Sequence, residues 1–190
     1  MRFLVFLFLL SPMVAQASSS ASSSGGISYS IQPIAGFDTV YRNTPSPHTV
    51  TRSIYGARLV AGKDFLSLEA EYSKASDTES YTTAPQTILN NDELIKVGLQ
   101  STLHLGPNFF FTARAGGQTD NNSNDSTSNG VVIHTTTAST YPYGGAELGF
   151  HLGSVFSLAV GTTVVFVNTS DMSKNEYQNT IVLNLSIHPK

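Results

Sequence analysis

The sequence predicts an all-β fold: an eight-stranded antiparallel up-and-down transmembrane β-barrel, apolar outside and polar inside. Three observations predict it. Eight segments between Ile27 and His188 alternate large apolar with polar or small residues, the two-residue period of a strand with one apolar face. Seven charges fall well inside those segments, Asp38, Arg58, Glu69, Glu71, Lys96, Arg114 and Glu147, and all take the face opposite the bulky residues. The connections alternate between tight and long, as in a barrel whose two ends meet different compartments.

The elements follow in order. Met1-Arg2, the apolar run Phe3–Leu10, Ser11-Pro12 and Ala15-Gln16-Ala17 form a positive start, an apolar stretch and a small-x-small site. This predicts a secretory signal peptide over 1–17, cut after Ala17; the run is far short of the roughly 20 apolar residues of a spanning helix. Residues 18–26, SSSASSSGG, read as a flexible tether, and 27–190 as the barrel. Its strands are expected at Ile27–Tyr41, Thr51–Gly62, Phe65–Ala75, Asp92–Leu105, Phe109–Thr119, Tyr141–Leu152, Val155–Asn168 and Tyr177–His188. Each is at least as long as the roughly 9–11 residues a tilted strand needs to cross a bilayer.

Tight turns are expected at Lys63-Asp64, Gly106-Pro107-Asn108 and Gly153-Ser154, where Gly, Pro, Asn and Asp suit the backbone. Long polar links are expected at Arg42–Val50, Ser76–Asn91, Asp120–Thr140 and Thr169–Glu176. Ile31, Phe37, Leu59, Leu68, Val97, Phe111, Leu148 and Leu183 belong to the apolar face; Gln32, Gly56, Gly98, Thr112, Gly116, Gly145 and Thr180 join the charges. Glycines beside long charged side chains suit a narrow interior. Tyr29, Tyr41, Tyr55, Tyr72, Tyr141 and Tyr143 lie near strand ends, where some can form an interfacial girdle.

Composition excludes several function classes. Losing Arg2 with the signal lowers the formal charge from −3 to −4, and without a basic patch no nucleic-acid partner is expected. Zero cysteines exclude a disulfide framework, thiol chemistry and a lipoprotein anchor. None of the five histidines pairs at ligand spacing, so neither a metal nor another cofactor is expected. His104 and His151 read as lumen-lining. A hydroxyl near His134 would need a base and an orienting carboxylate placed together to be catalytic; Thr135, Thr136 and Thr137 read more simply as an exposed β-prone stretch, and no enzyme is expected.

A signal peptide, eight alternating strands, three tight turns, four long loops and charges on the Gly-rich face together resemble the small eight-stranded outer-membrane barrels. These include the transmembrane domain of OmpA, OmpX, and the adhesin and opacity-type proteins. The resemblance covers about residues 27–188. It implies the bacterial cell outer membrane as location, with membrane lipid, lipopolysaccharide and the barrel-assembly machinery as partners. It also implies a structural or adhesin-like role through the outer loops. One departure is that such barrels usually finish on an aromatic residue, whereas this chain ends His188-Pro189-Lys190 after Leu183, Leu185 and Ile187.

Two alternatives stand beside this reading. A secreted, soluble calycin-like barrel binding an apolar ligand would show the same period with inverted faces. Against it, the charged face is the glycine-rich one, and charged residues make up 12% of the chain, about half the typical ~25%. The second is a lipid A-modifying barrel enzyme, for which deacylases and palmitoyltransferases on small barrels are the precedents by resemblance, or a narrow ion channel. Eight strands enclose an interior just wide enough for side chains to fill, so the seven interior charges are expected to pair and plug it.

Two pairings follow. A two-residue turn at Lys63-Asp64 sets Gly62 opposite Phe65 and Arg58 opposite Glu69, while Arg114 and Glu147 are partners, with Gly161 facing Glu147. Specific function is expected in the third long loop. Asp120–Gly130 reads as mobile and solvated. Val131, Ile133, Thr135 and Thr137 then resume alternation, so that strand six projects as an exposed edge for a protein, host or envelope partner. Asn121, Val131, Ile133, Thr135 and Thr137 mark this candidate partner-binding segment.

Overall fold

The computed structural model describes residues 27–43, 46–63, 65–81, 86–128 and 130–187. The expected signal peptide (1–17), the tether (18–26) and the His188 end of the last strand lie outside them. The strands are β1 (Ser28–Arg42), β2 (His48–Lys63), β3 (Leu66–Tyr81), β4 (Gln86–His104), β5 (Phe109–Ser128), β6 (Val131–His151), β7 (Phe156–Val165) and β8 (Glu176–Ile187). Each pairs antiparallel with its neighbours in sequence, and β1 pairs with β8 to close the barrel. One 3-10 turn, Met172–Lys174, sits between β7 and β8.

The two faces separate as the alternation requires. Phe37, Tyr55, Leu59, Leu68, Val97, Leu148, Val160 and Ile181 stand exposed on the wall. All seven expected interior charges are buried, from 0% exposure at Asp38 and Arg58 to 5% at Glu147. A soluble ligand-binding barrel requires the reverse, so the calycin-like alternative fails on this inversion. Among the described residues, buried apolar side chains gather in two small clusters, Ile34/Phe110/Ala159/Val182 and Ile54/Ala75/Leu94. The β2–β3, β4–β5 and β6–β7 turns share one end, where Gly106 (φ 97°) and Gly153 (φ 127°) take backbone angles that side-chain-bearing residues resist.

The opposite end differs from expectation. The links read as Ser76–Asn91 and Asp120–Thr140 are largely strand: pairing runs to Tyr81↔Gln86 between β3 and β4, and to Ser128↔Val131 between β5 and β6. Asp120–Ser128 is therefore neither loop nor free in solution. On the flanks, β2 leaves β3 after Ser53↔Ser76, and β6 leaves β7 after Tyr143↔Val165. A four-stranded sheet, β3–β6, thus continues beyond the closed ring. From Val131 to Tyr141 it rises about 34 Å along the strand, at roughly 3.4 Å per residue. Asn and Asp disfavour isolated strands, but β propensity depends on context. Here β5 is paired on both sides, and Asn124 Nδ2 donates to Asn90 Oδ1 across the ladder (2.7 Å).

The expected hairpin register shifts by two. Gly62 pairs with Ser67 rather than Phe65, because the two turn residues are those between Lys63 and Leu66. Arg58 therefore faces Glu71, and Glu69 faces Val60.

Candidate functional site

Mid-barrel, three carboxylates (Glu69, Glu71, Glu147) meet three cations (Arg58, Lys96, Arg114). Arg58 sits 3.0 Å from Glu71 and 2.9 Å from Glu147, and donates to Gln32 Oε1 at 2.9 Å. Its distance to Glu69, the partner expected from sequence, is 3.9 Å. Arg114 grips Glu69 with two bonds (2.7 and 2.9 Å), and reaches Glu71 at 2.8 Å and Glu147 at 3.1 Å. Lys96 also donates to Glu71, making that carboxylate the meeting point of three cations. Gly161 lies opposite Glu147. Isolated ions here would each carry a desolvation cost of several kcal/mol; the two-toothed Arg114–Glu69 contact and the shared Glu71 offset it.

Tyr143, a girdle candidate from its place near a strand end, points inward instead. It is 3% exposed, and its hydroxyl donates to Glu69. Its alternation with Gly145 and Glu147 carried that signal. Gly116 leaves the space: a Cβ there would come within 2.9 Å of the Tyr143 ring.

A second charged layer lies towards the extended end. Arg52 bonds Asp38 (2.8 Å) and donates to Asp92, which also accepts from Asn122. Gln118 donates to Glu176 (3.3 Å), and Gln178 to Gln118 (3.2 Å). Above them Arg42 holds Asp77 by two 2.8 Å bonds and donates to Glu79, which takes a further contact from His48 at 3.2 Å. Sequence reading missed Arg52, Asp92 and Glu176 because they fall at or beyond expected strand ends. Parity identifies them: Arg52 shares a face with Arg58, Asp92 with Lys96, and Glu176 with Thr180. At the tight-turn end, His104 and His151 stack with ring centres 5.6 Å apart, beside a chamber of about 180 Å³ with mixed polar and apolar lining that Glu147 reaches.

The candidate partner-binding residues lie on the extension. Asn121 pairs with Ala138 on β5, and Val131, Ile133, Thr135 and Thr137 are exposed on β6. Between Val131 and Tyr141 β6 pairs with β5 alone. Phe166 N–H bonds Pro142 O across the last β7 contact (2.9 Å). Since a strand residue turns its N–H and C=O to the same side, even-numbered positions from Val132 to Thr140 present theirs to the open edge. On the convex face His134 contacts Asp125 at 2.5 Å and Thr136 at 3.2 Å. That is the order of an acyl-transfer relay. Yet the His134 side chain is 61% exposed, so water competes for every contact, and the trio acts as a rung bracing β5 to β6.

No protein-family model matches the sequence, and no curated protein matches it. Solved structures do. The attachment invasion locus protein Ail of Yersinia pestis, crystallised with the heparin analogue sucrose octasulfate, is 7% identical with a TM-score of 0.57, over 85% of this chain and 99% of Ail. The outer membrane protein OprG of Pseudomonas aeruginosa is 8% identical, TM-score 0.56, over 87% and 97%. The N-terminal β-barrel domain of Pseudomonas aeruginosa OprF is 14% identical, TM-score 0.51, over 83% and 97%. At such identities the likeness is one of fold, and the fold is that of the small eight-stranded outer-membrane barrels.

Proposed function

We propose that this chain is an integral, non-enzymatic protein of the bacterial outer membrane, with a filled lumen and a surface-interaction role. The carrying observation is the inversion of faces: ionisable side chains buried at 0–5% exposure, large apolar ones bare on the wall. Such a wall is compatible with hydrocarbon, where an open sheet edge is not, and the closed ring leaves none at membrane depth. In this reading residues 1–17 direct export, the assembly machinery inserts the barrel, and lipid with lipopolysaccharide surrounds it. The three-against-three charge layer blocks passage, so the barrel conducts no general solute. The tight turns face the periplasm and the β3–β6 extension faces outward.

The extension supports an adhesin-like role. The open β6 edge from Val131 to Tyr141 contains no Asp, Glu, Lys, Arg or Pro, the residues that normally blunt an edge. A partner protein on a host or envelope surface can add a strand there.

Fractionation combined with a heat-modifiability gel tests the location. The chain should pellet with membranes, and its mobility should change only after boiling; recovery as a soluble monomer would overturn the proposal. For the adhesin-like role, deletion of Asn121–Thr137 should keep the mobility shift and abolish attachment. Unchanged attachment would remove the edge from consideration.

A further inference from the structure

Inside the extension, above both charge layers, the concave face of β3–β6 and the end of β1 at Arg42 line an open cleft of about 560 Å³. That volume falls within the roughly 300–1,000 Å³ of small-molecule sites. An amide row crosses it. Asn124 Nδ2 donates to Asn90 Oδ1 (2.7 Å), and Asn90 Nδ2 donates to Asp77 Oδ2 (3.2 Å). Asp77 is itself clamped by Arg42, and Asn90 is 3% exposed. This relay sets the plane of each amide before any ligand arrives. Thr135 and Thr137 add exposed hydroxyls from β6, and Ile88 supplies an apolar surface from β4.

We propose that this cleft binds an uncharged saccharide. The inference rests on the outward placement of the extension in the outer membrane. Vicinal sugar hydroxyls both donate and accept, and amide and threonine groups do the same; the C–H face of a sugar ring packs on Ile88. Charge decides which saccharide. Arg42 is the cation lining the cleft, and Asp77 and Glu79 already occupy it. With Asp92 and its partner Arg52 one rung below, three carboxylates face two cations, so a sulfated or carboxylated glycan meets repulsion. Because the amides are already oriented, little ordering cost falls on binding.

The test uses the full folded chain in lipid nanodiscs, titrated with maltose, N,N′-diacetylchitobiose and a sulfated disaccharide, and read by chemical shifts. At least one neutral disaccharide should bind saturably, at least tenfold tighter than the sulfated one. Asn124→Leu should weaken it about tenfold, the scale of one lost hydrogen bond. Asn91→Leu, exposed on the convex face of β4, should leave it unchanged. Absence of saturable neutral-sugar binding, preference for the sulfated probe, or unchanged binding by a heat-modifiable Asn124→Leu protein would each overturn the assignment. Absence of the mobility shift in the unsubstituted chain would instead overturn the outer-membrane reading beneath it.

Discussion

Replacing Glu71 with Gln removes one charge at nearly constant volume from the point where Arg58 (3.0 Å), Arg114 (2.8 Å) and Lys96 converge. Three buried cations then share two carboxylates, Glu69 and Glu147. Breaking a buried pair by removing one partner costs about 3–5 kcal/mol, because the remaining charge stays desolvated. With a urea slope of about 2 kcal/mol/M for a chain of this size, the midpoint should fall by about 1.5–2.5 M. The assay is urea unfolding from lipid vesicles, followed by loss of the unboiled gel band. Glu93→Gln is the comparison: it removes a carboxylate from the exposed Lys74–Glu93 pair and should leave the midpoint within error, since exposed pairs contribute little. Adding Lys96→Met to Glu71→Gln restores the balance of charge, so the double substitution should cost less than the sum of the singles by at least about 1 kcal/mol. A Glu71→Gln midpoint within error of the unsubstituted protein would refute the reasoning. So would additivity of the pair.

Further outcomes follow from the same geometry. Gly161→Ala drives a Cβ into the Glu147 side chain and should cost about 1–3 kcal/mol in the same unfolding assay, with loss partly relieved by Glu147→Ala. In planar bilayers the unsubstituted barrel should show no steady conductance, whereas Arg114→Ala with Glu71→Ala should open measurable single-channel events; steady conductance before substitution would contradict a plugged lumen. Ala138→Pro removes an N–H from the open β6 edge while sparing the β5 ladder, so attachment should fall with the mobility shift intact.

Strand number, the two faces and the turns at Gly106–Asn108 and Gly153-Ser154 were legible in the sequence because they rest on local chemistry. A two-residue period needs no knowledge of neighbours, and that is why Arg58, Glu71, Lys96, Arg114 and Glu147 could be set on one face from spacing alone. Tyr143 and Arg52 were legible by the same parity, but were hidden by attention to strand ends. What the tertiary structure decided is relational. The residues of the Lys63–Leu66 turn set which carboxylate opposes Arg58, and a slip of two keeps every face unchanged, so alternation carries no trace of it. The Arg58–Glu147 contact joins β2 to β6 across the lumen, a neighbourhood created only when the ring closes with its stagger. The Asn- and Ser-rich run after Asp120 reads as loop in isolation. It becomes strand because β4 and β6 on either side satisfy its backbone, and that condition exists only once the sheet is assembled.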